Sequence, residues 1–257
     1  MHIAVVMRLV PDIAEELEVA ESGLDIDREW IGMKLNEFDD HALEEAILLK
    51  EQAGASITAL ALGGEGVDRM LQAAVARGVD RIVKITHGNL PPLLSAIPDA
   101  RLVADVVRKI GANLVFTGVQ TPEDLGGQLA ATLGAVLDWP HLSAAAGVQW
   151  RDDGMAVRQE HSGGYAVRVL VTPPAVLGIQ TALQPPRYVS GSKLRQVIGI
   201  KAEEIAAAAT DMPAAAVISL APPSRTGGAV IWDGETEQVA DQFIALLRDR
   251  GLLKGTT

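Results

Sequence analysis

The chain has 257 residues, with 22 basic and 33 acidic side chains and a formal net charge of −11 spread along its length. That balance argues against a nucleic-acid binder, because no basic stripe is present to replace phosphate counterions. The absence of cysteine excludes disulfides, thiolate metal sites and cysteine nucleophiles, and no apolar run reaches the roughly 18 residues that a membrane span needs.

The elements read in chain order as alternating strands and helices, the signature of a parallel sheet. Residues 2–10, "HIAVVMRLV", predict a strand stopped by Pro11 and Asp12. They are too short, and too soon broken, to be a signal peptide or membrane span. The lack of cysteine is compatible with a reducing cytoplasm, and the expected localisation is cytoplasmic, in a bacterium. Residues 39–53 carry apolar residues on one helix face, and Gly54 follows where a helix ends. Residues 56–62, "SITALAL", are a buried strand; "GGEG" then leads into the helix "VDRMLQAAVARG". Strands at 81–85 and 113–119 flank a helix over 99–110. A helix over 125–137 ends at Asp138-Trp139-Pro140.

After residue 140 the rhythm changes. Asp152-Asp153-Gly154 and Ser162-Gly163-Gly164 mark turns in a small antiparallel region, and "PPAVLGI" returns to the main sheet. An Ala-rich helix over 202–209, a linker with Pro222-Pro223 and an amphipathic helix over 235–249 complete the reading. The residues suggest an α/β fold with a mostly parallel sheet, a small antiparallel region and a tail whose terminal helix packs either on a partner or on the chain itself.

Two strand-to-helix junctions carry glycine. In "TGVQTPEDLGGQLAATL" (117–133), Gly118, Gly126 and Gly127 let backbone approach a phosphate, with Gln128 as a polar handle. The same stretch also reads as a plain helix start whose Glu123 and Asp124 satisfy orphan N–H groups. "LGGEG" (62–66) lacks the full dinucleotide fingerprint and reads alone as a tight turn. On one parallel sheet both junctions fall at the strands' carboxyl ends, where open α/β sheets bind ligands. The five histidines share no metal-ligand spacing, and no G-x-S-x-G is present. Nothing assembles a nucleophile, base and orienting group, so the residues point to a binder more than a catalyst, a stand-alone adenine-nucleotide-binding protein being one such reading.

Several stretches together resemble the β subunit of electron transfer flavoprotein. "NEFDDHALEEAILLKE" (36–51) is similar to the family's "NPFxExAxEEAxRLKE", and "LQAAVARGVDRIVKI" (71–85) to "LRTALAMGADRAIHV". "GVQTPEDLGGQLAATLGAVLDWP" (118–140) aligns without a gap on "GKQAIDDDxNQTGQMxAxxLxWP", "ALQPPRY" (182–188) on "RLNEPRY", and "PPSRTGG" on "PPQRTAG". The resemblance implies a doubly wound, mostly parallel α/β fold of the adenine-nucleotide α-hydrolase type, with a small antiparallel region and a C-terminal arm. It implies an α/β nucleotide-binding domain over 1–183, then a partner loop, linker and terminal helix over 184–257 that wrap the α subunit of a heterodimer. That α subunit mainly holds FAD. It also implies electron shuttling from a flavoprotein dehydrogenase to a membrane quinone reductase, with AMP bound in this chain. A bifurcating form with a second FAD in this subunit is the alternative within the family.

Carried over position by position, the resemblance places the nucleotide against Val6, Asn36, Phe38, Asp39, Leu62, Gly118, Gln120, Thr121, Glu123, Asp124, Gly126, Gly127, Gln128 and Leu129. The chain departs from the pattern where a family Tyr falls on Ile13, and where Lys, Asp, Asn and Thr fall on Val119, Leu125, Gly127 and Leu129. The partner loop falls on Arg187, Tyr188, Gly191, Lys193 and Leu194. There the family's anchoring Leu is Gly191. Such anchors dominate interface energy, so the expected donor is a dehydrogenase other than a typical acyl-CoA dehydrogenase.

Overall fold

The computed structural model describes residues 1–87, 96–151, 154–208, 217–223 and 227–253. β1 (His2–Val6) is almost wholly buried and lies in the middle of the main sheet. β2 (Leu9–Pro11) leaves that sheet and pairs antiparallel with β3 (Met33–Leu35) in a separate ribbon. The single strand expected over 2–10 is therefore two. Arg8 sits at the break, where its backbone and side chain both turn to Asp39.

α1 (Glu37–Ala53) follows and ends at Gly54, whose φ of 67° suits a residue without Cβ. Next come β4 (Ser56–Leu62), α2 (Val67–Arg77) and β5 (Arg81–Thr86). The chain then crosses back through α3 (Ala96–Ile110), β6 (Leu114–Gly118) and α4 (Leu129–Leu137). β7 (His141–Arg151), β8 (Gly154–Glu160) and β9 (Ala166–Val171) form an antiparallel extension, and β10 (Ala175–Thr181) returns between β6 and β7. Residues 152 and 153 of the first expected hairpin turn lie outside the described residues; Ser162–Gly164 makes the second. α5 (Gly191–Val197) and β11 (Glu203–Ala206) complete this part.

The main sheet has nine strands in the order β11-β5-β4-β1-β6-β10-β7-β8-β9. Every pairing from β11 to β7 is parallel; β7-β8 and β8-β9 are antiparallel. Alternation along β1 sends Ile3 and Val5 into one core with Leu43, Ile47 and Leu71 of α1 and α2. Ala4 and Val6 face the other core, with Val103, Val107 and Leu133 of α3 and α4. Helices thus cover both faces of a doubly wound sheet, which is why its central strands are apolar throughout.

Two helix expectations are corrected. Residues 203–206 are not helical: β11 adds to the edge of β5, with Glu203 on Arg81 and Glu204 on Lys84. An open sheet edge outweighs the helix preference of its alanines. The helix expected from residue 125 begins only at Leu129. Gly127, at φ 59°, holds the preceding turn, and a Cβ there would lie 2.6 Å from the Val119 carbonyl oxygen.

The described residues divide into two compact units, 1–220 and 221–257. The second contains α6 (Thr236–Asp249), in which no residue is buried. Trp232 meets Phe243 edge to face, with ring centroids 6.3 Å apart.

Candidate functional site

Winding from β1 to β4 and β5, then back to β6, creates a switch point between β1 and β6, where open α/β sheets leave a crevice. A cleft of about 390 Å³ opens there. Met7 and Arg8 follow β1 into it, Leu62 to Glu65 follow β4, and Thr121, Glu123, Asp124 and Leu129 come from the turn before α4. Arg28 reaches in from the loop before β3 and Asp99 from α3. The two glycine-bearing junctions therefore meet in one place.

Behind the cleft is a rigid frame. The Asp39 carboxylate, fully buried, accepts hydrogen bonds from Arg8 N (3.0 Å), Nε (2.9 Å) and Nη2 (2.7 Å), and from Gly118 N (2.7 Å). Arg8 Nη2 also donates to the Gly118 carbonyl. A Cβ on Gly118 would fall against that carboxylate and lie 2.6 Å from the Asp39 nitrogen, so only glycine fits. Asn36 Nδ2 donates to the Gln120 carbonyl at 3.0 Å, tying the start of α1 to the same turn.

The two acids of the turn face different tasks. The Asp124 carboxylate accepts from Gln128 N at 3.0 Å, and the Asp124 N–H closes the turn by donating to Thr121 O and Oγ1. Glu123 instead accepts from Arg28 Nη2 at 2.6 Å, and Arg28 Nε donates to Asp25 at 3.1 Å. Because Asp124 stops at Gln128, the first-turn amides of α4, Leu129 to Ala131, have no partner among the described residues. Such amides, with the helix dipole behind them, attract anions.

Charge in the cleft is mixed. Burial pushes the Asp99 carboxyl up to about 6, against the opposing pull of Arg8 and His87, while Glu123 and Asp124 add to the rise. The Asp25 and Glu123 carboxylates hold the Arg28 guanidinium more firmly protonated than usual.

Of the residues expected around a nucleotide, Leu62, Thr121, Glu123, Asp124 and Leu129 line the cleft. Asn36, Asp39, Gly118 and Gln120 form the frame behind it, and Gly126, Gly127 and the exposed Gln128 belong to the turn. Val6 points into the α3–α4 core, and half-buried Phe38 does not line the cleft. Sequence reasoning missed Arg8, Arg28 and Asp99. Arg8 was findable as the first charge after a buried strand; Arg28 sits in an aperiodic loop and carries no signal.

The partner-loop residues lie apart from the cleft. Arg187 is tethered through Nε to Glu44 at 2.8 Å and through Nη1 to Glu51 at 2.7 Å. Buried Glu44 also meets Arg77 at 3.1 Å, which holds the loop's root to α1 and α2. Beyond that root Tyr188 is 90% exposed. Ser190 caps α5 by accepting from Lys193 N, Gly191 begins that helix, and Leu194 is partly exposed.

Residues 23–219 match the family described as Electron transfer flavoprotein domain. The chain is 28% identical over 261 residues to "Electron transfer flavoprotein subunit beta" of Methylophilus methylotrophus, covering 97% of this chain and 98% of that protein. It is 30% identical over 207 residues to the protein of that name from Dictyostelium discoideum, 80% of each chain. Identity to "Probable electron transfer flavoprotein subunit beta" of Saccharomyces cerevisiae is 31% over 201 residues, 76% of this chain and 75% of that one.

Proposed function

The chain belongs to the electron transfer flavoprotein family as a β-subunit-type member, and on that premise we propose that it serves a two-chain electron carrier and holds AMP in its switch-point cleft. The observation that carries the nucleotide reading is the row of unpartnered amides at Leu129 to Ala131, which opens beside the cleft wall formed by Leu129. A volume of about 390 Å³ lies at the low end of ligand pockets. That favours a mononucleotide over a second FAD.

The AMP is structural and brings no redox chemistry; the FAD, held mainly by the α subunit, supplies the electron-accepting group. This chain's residues bind and orient. Asp39 and Arg8 hold β1, α1 and β6 at one angle, so the turn amides present a fixed cradle. Thr121 and the glycines at 63 and 64 let ligand and backbone approach closely. Tyr188, Gly191, Lys193 and Leu194 form the donor-docking loop, rooted by Arg187. With Gly191 in the anchor position, that loop suits a flavoprotein dehydrogenase other than a typical acyl-CoA dehydrogenase. The acceptor is a membrane quinone reductase. The segment from residue 184, ending in α6, wraps the α subunit.

The test is to co-express the chain with an α subunit, denature the purified complex and quantify the released nucleotides by chromatography. One FAD and one AMP per complex are expected. Two FAD would replace the reading with the bifurcating one. FAD alone would mean that the turn, lacking the family's polar side chains, holds no nucleotide.

A further inference from the structure

An anion entering the cleft meets the carboxylates of Glu65, Asp99, Glu123 and Asp124 on its walls. Two guanidiniums oppose them. Arg8 is spent on the frame, since its Nε and Nη2 both bind the buried Asp39 carboxylate. Arg28 is differently placed. Its side chain is 33% exposed, lines the cleft, and sits between Asp25 of its own loop and Glu123 of the turn. Its Nη1 makes no hydrogen bond to any described residue.

The geometry points to Arg28 as the cation that takes the ligand's phosphate, with Glu123 as the partner it holds until the phosphate arrives. The inference rests on the nucleotide reading of the cleft. The turn has neither Lys nor Arg between residues 117 and 133, so the open amides of α4 supply dipoles but no full charge. Arg28 supplies that charge from a loop about ninety-five residues away in sequence. Guanidinium binds phosphate and carboxylate with the same fork of donors, so one can replace the other without rebuilding the wall. Glu123 thereby becomes a competitor that sets affinity.

The test uses the full-length chain in complex with its α subunit, exchanged free of nucleotide, and calorimetric titration with AMP, adenosine and inorganic phosphate. Arg28→Gln is expected to weaken AMP about tenfold, equal to about 1.4 kcal/mol, and to leave adenosine unchanged. Arg28→Lys is expected to recover part of the loss. Glu123→Gln is expected to tighten AMP several-fold, because the competing carboxylate is gone. If Glu123→Gln instead weakens AMP in parallel with Arg28→Gln, Arg28 is only a structural tie and the inference falls. An unchanged preference for AMP over adenosine in Arg28→Gln overturns it as well, while the nucleotide reading stands. Wild-type protein that binds none of the three, or inorganic phosphate as tightly as AMP, overturns the nucleotide reading itself.

Discussion

Arg8 and Asp39 meet through three nitrogen donors on a carboxylate that is fully buried, and Gly118 supplies a fourth. Removing the carboxylate strands a guanidinium whose side chain is only 16% exposed. Asp39→Ala is therefore expected to cost about 3–5 kcal/mol in denaturant unfolding; a loss below about 1 kcal/mol would show the pair to be dispensable to the frame. Asp99 carries the pH dependence of the cleft. Its folded value of about 6 lies above its ordinary 3.8, so folding takes up a proton. The stability this contributes is complete below about pH 3.8 and is lost as pH rises through about 6. Asp99→Asn is neutral at every pH. Wild-type stability is thus expected to fall relative to the variant between pH 4 and 6 and then run parallel. A constant difference across that range would refute the assignment.

α1 does more than cover the sheet. Glu45, fully buried, accepts from Val148 N of β7 at 2.6 Å and from Leu183 N after β10 at 2.7 Å. One side chain thus fastens the helix to two segments more than 100 residues away. Glu45→Ala leaves the buried Val148 N–H and the part-buried Leu183 N–H unpaired and is expected to cost about 1–3 kcal/mol by unfolding, most of it from Val148. The turn before α4 has a similar dependence on one residue. Gly127→Ala combines positive φ with a Cβ 2.6 Å from the Val119 oxygen. It is expected to destabilise the chain by at least about 1 kcal/mol and to lower nucleotide retention in the co-purified complex. β11 shows the opposite balance. Its identity as a strand rests on the free edge of β5, whose Thr86 carbonyl takes the Ala207 amide at 2.9 Å.

At the scale of the molecule, the α/β unit has two dense cores, whereas no residue of α6 is buried. A 14-residue helix with no buried residue and a single ring contact, Phe243 on Trp232, is marginal in water. Amide hydrogen exchange over 236–249 is accordingly expected to be fast in the isolated chain. Binding of the α subunit should slow it by at least about tenfold if this helix packs on the partner, because such protection follows local opening energy. Equal protection in both states would mean that α6 is stable by itself and would remove it from the proposed interface.

The apolar rhythm of the sequence determined the mostly parallel α/β sheet by itself. Runs such as 56–62 and 114–118 are short and apolar, with glycine at or just past their carboxyl ends, and a parallel strand buried on both faces can be little else. Gly54 and Asp138 mark helix ends for local conformational reasons that need no distant partner. The family motif placed the turn at 118–129 and its glycines. Only the tertiary structure decided that Asp39 faces the frame rather than the cleft, that residues 203–206 join a sheet edge, and that Arg28 reaches Glu123. Each of those outcomes depends on a partner far along the chain. A buried charge or an open edge is answered by whatever donor the fold brings near, and periodicity within a short window carries no record of it.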